Sequence, residues 1–331
     1  MRTSREIHLV GRPRGVPTAS DFAVVEVDIP EPSEGEVVIR NGFISVDPYM
    51  RARMNDAKSY APSFSLGEPM TGGAVGQVVA SQNPRFAEGD WVSHGLGWRE
   101  VALSDGSGLV SVDPAVAPVS TALGVLGMPG LTAYFGLVDI ARIQPGETVF
   151  VSGAAGAVGS LAGQLAKLKG CTVIGSAGSA EKVAWLLELG FDEAFNYRET
   201  SVRDALADGI DVYFDNVGGP TLEAALAALR LRGRVVACGA ISQYNATEAP
   251  VGPRNLFLVV TNRLRIEGFI ISDHFDRMPA FLAEVAPHVR DGSLQYRETI
   301  VDGIEHAPAA FIGLLAGENT GKMLVRVGDE Q

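Results

Sequence analysis

Residues 152–160 read SGAAGAVGS, set between an apolar run, TVFV (148–151), and an apolar-periodic stretch, LAGQLAKLKG (161–170). Small residues at the seam between a strand and a helix let a ligand approach the backbone N–H groups at the helix start. The helix dipole favours negative charge at the same place. Gly156 and Gly159 would admit a pyrophosphate and let the helix pack close to the strand. The pattern is G153-x-x-G156-x-x-G159, with Ala154 where the usual G-x-G-x-x-G has its second glycine. A turn whose glycines serve packing alone is the competing reading.

A site built for NAD places an acid at the end of the next strand, about 20 residues on, to bind the ribose 2′-hydroxyl. Here VIGSAGSAEK (173–182) has Gly175 and Ser176 there, so no carboxylate repels a 2′-phosphate. Lys182, one helical turn further, and Tyr197, at the end of the following strand, can reach such a phosphate. NADP(H) is favoured, with an exposed helix lysine as the other reading of Lys182.

Two tyrosines could hydrogen-bond a developing oxyanion as neutral donors at pH 7. Tyr60 lies in a polar segment, NDAKSYAPS (55–63), and Tyr244 follows a strand in CGAISQYN (238–245). Each could equally be an aromatic that packs a loop. Tyr49, after Pro48 in SVDPYMR, reads as structural, and Asp47 and Arg51 as a local ion pair. Metal-assisted chemistry is disfavoured. Cys171 and Cys238 both fall in the nucleotide-binding region, and His8, His94, His274, His288 and His306 form no ligand motif. His94, after GDWVS, reads as a surface or pocket-rim residue.

The elements that must position these groups follow from rhythm. Residues 1–120 read as β-rich, a small irregular barrel with strands in EVVIRNGFISVD (36–47), TGGAVGQVVAS (71–81), GDWVSHG (89–95) and WREVALS (98–104). Glycines 72, 73 and 76 within a strand-like run suggest a tight bend. From 121 to 290 strands alternate with helical patterns. The strands are 148–153, 171–177, 193–197, 211–217, 233–239 and 264–271, and the helices 157–169, 179–189, 201–207, 220–230 and 275–290. That is the α/β signature of a doubly wound parallel sheet. Residues 291–331 return to mixed strand and helix, the last strand rejoining the first domain.

A chain of 331 residues is long enough for about two domains. A formal net charge of −12 leaves no basic footprint for nucleic acid. No apolar run reaches the ~18 residues of a membrane span and no leader pattern opens the chain, so a cytoplasmic protein is expected.

Several long stretches together carry a family resemblance. They are SVDPYMRARM (45–54), LGMPGLTAYFGL (126–137), AAGAVGS (154–160), KLKGCTVIG (167–175), DVYFDNVGGP (211–220), CGAISQYN (238–245) and GENTGKMLVRV (317–327). With them the chain resembles the zinc-independent medium-chain dehydrogenase/reductases. Among these it is similar to the NADPH-dependent alkenal/enone double-bond reductases, which include leukotriene B4 12-hydroxydehydrogenase/prostaglandin reductase and bacterial curcumin reductase. AKSYAPS (57–63) leans toward the curcumin-reductase branch.

The resemblance implies a GroES-like substrate domain and a Rossmann domain with the active site between them, a homodimer, and reduction of a C=C bond conjugated to a carbonyl. By position it implies pyrophosphate contacts at Ala155, Gly156, Ala157, Val158 and Gly159, and 2′-phosphate contacts at Lys182 and Tyr197. Asn216, Cys238, Gly239, Ala240, Ile241, Ser242 and Tyr244 would line the nicotinamide side, with Phe269, Ile270, Ile271 and Asn319. Tyr60 and Tyr244 become the expected catalytic pair. Thr261 and Asn262 occupy a region where some relatives carry a tyrosine near the substrate, which leaves the size of this pocket open. An NADPH quinone oxidoreductase and a non-catalytic NADPH-binding protein are the rival functions.

Overall fold

The computed structural model describes residues 2–328 and divides the chain into two compact units, Met1–Gly124 with Glu298–Gln331, and Val125–Arg297.

In the first unit, β1 (Arg2–Leu9) and β2 (Phe22–Ile29) pair antiparallel, Arg2 opposite Ile29 and Leu9 opposite Phe22. β3 (Val37–Ser45) founds a second sheet and is followed by the short helix α1 (Met50–Arg53). The two-residue β4 (Glu68–Pro69) adds to β1. β5 (Ala74–Ser81), β6 (Trp91–His94), β7 (Val101–Ser104) and β8 (Val110–Ser111) extend the sheet of β3. β7 pairs with β3 off the main path, and the backbone bonds of Ile7 N–H to Trp98 O and Glu100 N–H to Arg5 O link the two sheets. Gly76 sits where β3 and β5 slip register between Asn41 and Phe43, and a Cβ there would stand 2.5 Å from the Arg40 carbonyl oxygen. The tight bend read from the glycines is therefore a close backbone approach that no side chain can enter.

His94 is the first correction. It is buried at 7 % exposure, with Nε2 2.8 Å from Asn41 Oδ1 and Nδ1 accepting from the Leu96 N–H at 3.2 Å. Those bonds require the neutral ring with its proton on Nε2. Burial, helped by the Arg99 charge, pushes His94 down to about 4. An unfolded histidine titrates near 6.5, so below that pH the unfolded chain binds a proton that the folded chain refuses until about pH 4. Stability conferred by the neutral ring is present above pH 6.5 and falls as pH drops through this window, by up to about 3 kcal/mol. The thermal midpoint is expected to fall between pH 6.5 and 4, with a shallower slope in His94→Gln. An identical slope in the variant overturns the assignment.

In the second unit six parallel strands lie in the order β11-β10-β9-β12-β13-β14. They are β9 (Thr148–Val151), β10 (Thr172–Ala177), β11 (Glu193–Asn196), β12 (Ile210–Asp215), β13 (Leu229–Ala237) and β14 (Arg265–Gly268). Val149, Phe150 and Val151 of β9 are fully buried, as a central parallel strand covered by helices on both faces requires. α2 (Met128–Phe135), continued by helical residues Gly136–Ala141, precedes the sheet. α3 (Ala157–Leu168), α4 (Ala180–Glu188), α5 (Val202–Ala205) and α6 (Gly219–Ala228) are the crossovers. α7 (Phe257–Thr261) leads into the edge strand β14, and α8 (Met278–Arg290) follows it.

The chain then returns to the first unit. β15 (Glu298–Asp302) pairs parallel with β16 (Lys322–Arg326), which pairs antiparallel with β3. Between them α9 (Ala307–Ala316) delivers Phe311 to Trp98, ring centroids 5.9 Å apart. Among the described residues no helix is long and apolar enough to cross a membrane.

Candidate functional site

The glycine loop joins β9 to α3. Gly153 has φ +56°, in the left-handed region, and Gly156 caps α3 with no side-chain hydrogen bond at the helix start. The first-turn amides of Ala157, Val158 and Gly159 have no partner within the helix, as at any helix start. A Cβ on Gly159 would lie 2.4 Å from Gly153 O and 2.7 Å from Ala154 Cα. Gly159 thus lets the helix sit on its own entry turn. Ala155 is buried, whereas Gly156, Ala157 and Val158 are half-buried. Ala154, the departure from the usual motif, is fully buried and donates its N–H to Ser176 O at the end of β10. A methyl group fits there because that backbone faces the neighbouring strand.

At the end of β10 a cationic pocket takes shape. Ser179 caps α4 by accepting from the Lys182 N–H. β11 pairs with β10 as far as Ala177–Asn196, which puts Tyr197 beside Gly178. A Cβ on Gly178 would stand 3.0 Å from the Tyr197 hydroxyl. Arg198 reaches back over the Tyr197 ring, 5.9 Å from its centroid. Burial and then the Arg198 charge hold the Lys182 ammonium below its usual range. Two cations and a phenol around a glycine suit a dianion such as a phosphate. Arg198 escaped the sequence reading, because nothing in its local pattern distinguishes it from a surface arginine.

The carboxyl ends of β12 and β13 are bound together by a buried polar network that sequence reasoning also missed. Asp215 Oδ1 accepts from Tyr213 Oη at 2.6 Å, from the Gly218 N–H at 2.7 Å and from the Val217 N–H at 2.9 Å. Ser152 Oγ lies 2.9 Å from Tyr213 Oη, whose one proton goes to Asp215, so the serine hydroxyl donates to the phenol oxygen. Ser152 Oγ accepts from the Asn216 N–H, and Asn216 Nδ2 donates to Ser152 O. Burial raises the Asp215 pKa against the pull of these donors. The one available signal was DNVGG, an Asp before a glycine turn, which accepts from the turn's own amides.

The turn holds the next segment. The Cys238 and Gly239 N–H groups donate to Asp215 O, the Ile241 N–H to Asn216 O, and Ser242 Oγ to Val217 O. Tyr244 folds back over this segment, its hydroxyl oxygen accepting from the Ala240 N–H at 3.3 Å. That bond uses a lone pair of the oxygen and not its proton. Burial, and secondarily Asp215, push the Cys238 thiol up to about 12, so it stays protonated at neutral pH. Phe269 lies tilted against Phe135 at 5.4 Å, and Ile271 packs on the same core. Ile270 is half-buried just after β14.

In the first unit Tyr60 is 55 % exposed, on the loop that follows α1. Arg53 shapes this loop. Its guanidinium donates to Pro62 O at 2.9 Å and Thr71 Oγ1 at 3.2 Å, and lies over the Phe64 ring at 4.1 Å. Loss of solvent raises the pKa of Tyr60, opposed by the Arg53 charge, and burial raises that of Tyr49. Both phenols are protonated at neutral pH. Asn319, on the tail of this unit, is 7 % exposed and donates to Gly321 O.

Two expectations are corrected here. Asp47 accepts from Ser45 Oγ and forms an ion pair with the buried Lys322 at 3.2 Å, where Arg51 was the expected partner; Arg51 donates to Pro13 O, Gly15 O and Asn55 Oδ1. Lys322 also donates to Val46 O and Met323 O, so one ammonium ties β16 to the segment before α1. Thr261 and Asn262 do not border the Tyr244 segment of their unit. Asn262 donates its amide to Leu229 O, at the amino end of β13, whereas Cys238–Tyr244 follow its carboxyl end. β13 bulges between Leu229 and Arg234, so its two ends are set apart by the five steps of the paired β12, Ile210 to Asp215, about 17 Å.

Among the described residues no group of three or more His, Cys, Asp or Glu could hold a metal ion.

Residues 5–112 match the family described as the N-terminal domain of oxidoreductase, and residues 157–286 the family described as zinc-binding dehydrogenase. The chain is 44 % identical to the NADPH-dependent curcumin reductase of Escherichia coli, over 97 % of this chain and 96 % of that one. It is 43 % identical to the NADP(+)-dependent 2-alkenal reductase of Nicotiana tabacum, over 99 % and 98 %. The solved structure of CurA from Vibrio vulnificus in complex with NADPH superposes with a TM-score of 0.93 at 45 % identity, covering 98 % of this chain and all of that one. With the same two families in sequence and near-complete relatives on both measures, the chain belongs to the medium-chain dehydrogenase/reductases.

Proposed function

We infer that this protein is an NADPH-dependent reductase of the C=C bond in α,β-unsaturated ketones and aldehydes. The observation that carries this reading is the Tyr244 phenol, held on the Gly239–Ala240 backbone at the carboxyl edge of the sheet, where ligands of doubly wound folds bind. The named activities of the curcumin and alkenal reductases support it.

The residues present fit the dinucleotide. Gly156 leaves the loop face open, where a Cβ would meet only Gly153 O at 3.3 Å, and the bare Gly178 leaves room beside the Tyr197 hydroxyl. The first-turn amides of α3 take the pyrophosphate, and Lys182, Tyr197 and Arg198 take the 2′-phosphate. Asn216, Cys238, Gly239, Ala240, Ile241 and Ser242 line the nicotinamide side. NADPH, when bound, supplies a hydride.

Addition at the β-carbon of an enone leaves negative charge on the carbonyl oxygen. Tyrosine O–H donors aimed at that oxygen stabilise it, and a proton must then reach the α-carbon. Tyr244 and Tyr60 are assigned these tasks. The rival, quinone reduction, sends charge to oxygen and needs no proton donor for carbon. The assay is NADPH oxidation with 3-nonen-2-one, with 1,4-benzoquinone and with no acceptor. Expected is enone-dependent turnover yielding the saturated ketone. Turnover with the quinone alone overturns the reading.

The reading includes a homodimer and a cytoplasmic location. β14 is an edge strand, and unpaired edges are aggregation hazards unless covered. Apolar side chains crowd the approach to it, with Phe257 73 % exposed, Val260 67 % and Ile266 40 %. Pairing β14 with its own copy across a two-fold axis covers both. Light scattering at micromolar concentration is expected to give a dimer, and Val260→Asp with Phe257→Asp a monomer. A monomeric wild type, or a variant that stays dimeric, refutes this interface.

A further inference from the structure

We propose that the amino edge of the six-stranded sheet carries a second binding site, for a small multivalent oxyanion. Among the described residues only three non-glycine residues have a left-handed backbone, and all three are arginines: Arg142 (φ 53°), Arg232 (φ 65°) and Arg263 (φ 51°). All three line one open cavity of about 630 Å³, together with Arg234, Arg265 and Glu147.

The cavity is remote from the glycine loop along the strands. Arg265 opens β14, Arg234 lies opposite it where β13 resumes regular pairing after its bulge, and Glu147 immediately precedes β9. The dinucleotide residues stand at the other ends of the same parallel strands.

Two features of this arrangement work against folding. Left-handed backbone disfavours every residue except glycine. Arg234 also lies directly opposite Arg265 in the β13–β14 register, and like charges so placed repel. Five guanidinium groups meet two carboxylates. Glu147 binds Arg234 at 2.6 and 2.7 Å, and Glu267 lies 3.5 Å from Arg265. This surplus of positive charge stands in a chain whose net charge is −12.

Helix dipoles explain part of the cluster. Arg142 and Arg263 follow helical segments, and each returns one hydrogen bond to a carbonyl of its own helix, Asp139 O and Thr261 O. Arg232 has no such reason. It lies within β13, its backbone N–H is fixed by Asn262 O, and its side chain has no hydrogen-bond partner among the described residues. A guanidinium carries five donors in a fork that matches phosphate and carboxylate oxygens alike. Strained positions that converge on one cavity with donors to spare are what an oxyanion site requires. The ligand class is a phosphorylated metabolite or a polycarboxylate of two or more negative charges.

Glycine makes the test sharp, because it removes the guanidinium and relieves the backbone together. Arg142→Gly and Arg232→Gly leave the edge strand untouched and keep the main-chain bonds of both residues. Calorimetric titrations with pyrophosphate and with citrate are run on the protein saturated with NADP⁺, so that the glycine loop is already filled. Expected is 1:1 binding of at least one of the two, weakened about 10–150-fold in each variant, the range for one lost charge-assisted contact. The thermal midpoint without anion should hold or rise. Absence of saturable binding by both anions, or unchanged affinity in both variants, overturns the proposal. So does a midpoint that falls in both variants, because the arginines would then be stabilising the fold.

Discussion

Replacing Tyr244 by phenylalanine is expected to lower kcat for an enone by about 10²–10³-fold, the cost of one lost donor to a developing oxyanion, ~2.7–4 kcal/mol. The ring stays and only the hydroxyl leaves, so chemistry separates from packing. The Ala240 N–H loses its acceptor, but Ala240 is only half-buried and water can replace the bond. NADPH affinity and the thermal midpoint should therefore hold. Tyr60→Phe should act in the same direction. Its effect is expected to be smaller, because Tyr60 is 55 % exposed and water reaches the position of its hydroxyl. The two residues belong to different units, and a double-mutant cycle tests whether they serve one oxygen. If they do, the double variant falls less than the product of the single effects. Wild-type kcat in both single variants would leave the tyrosines as pocket walls. The proton would then have to come from solvent or from a ribose hydroxyl.

The parallel sheet was legible because its central strands are short, β-branched apolar runs punctuated by glycine, as TVFV is, and alternate with longer helical patterns. β1 escaped for the opposite reason: RTSREIHL opens on the polar run RTSRE, which hides its strand. The alternation of FAVVEVDI in β2, a β-strand signal, was passed over. The same contrast holds at the site. The glycine loop and Lys182 are local features, readable from spacing. Arg198 joins them only because β11 pairs with β10, and Lys322 reaches Asp47 only because β16 rejoins β3. Tyr213 and Asp215 share one face of β12, so their bond is local, whereas the grip of Asp215 O on the segment that carries Tyr244 is a tertiary contact.

The anion pocket at the end of β10 gives the second large effect. Lys182→Ala should weaken NADPH about 10–150-fold, the value of one charge-assisted phosphate contact at roughly 1.5–3 kcal/mol, and leave NADH within about twofold. Arg198→Ala should act on the same cofactor in the same direction. Before any phosphate arrives, the two cations repel, which is why the Arg198 charge contributes to holding the Lys182 ammonium below its usual range. A dianion between them removes that repulsion, so each cation strengthens the other's contact only when the phosphate is present. Removing Arg198 should raise the Lys182 pKa in the free protein and yet weaken NADPH, a pair of opposite signs that loss of packing does not produce. Equilibrium titration of both cofactors by nicotinamide fluorescence, repeated at low and high salt, checks this. The NADPH deficit of the variants should shrink as salt screens the exposed part of the interaction. Equal losses for NADPH and NADH would place Lys182 and Arg198 outside the 2′-phosphate site, and the preference for NADPH would then rest on the missing acid at Gly175 and Ser176 alone.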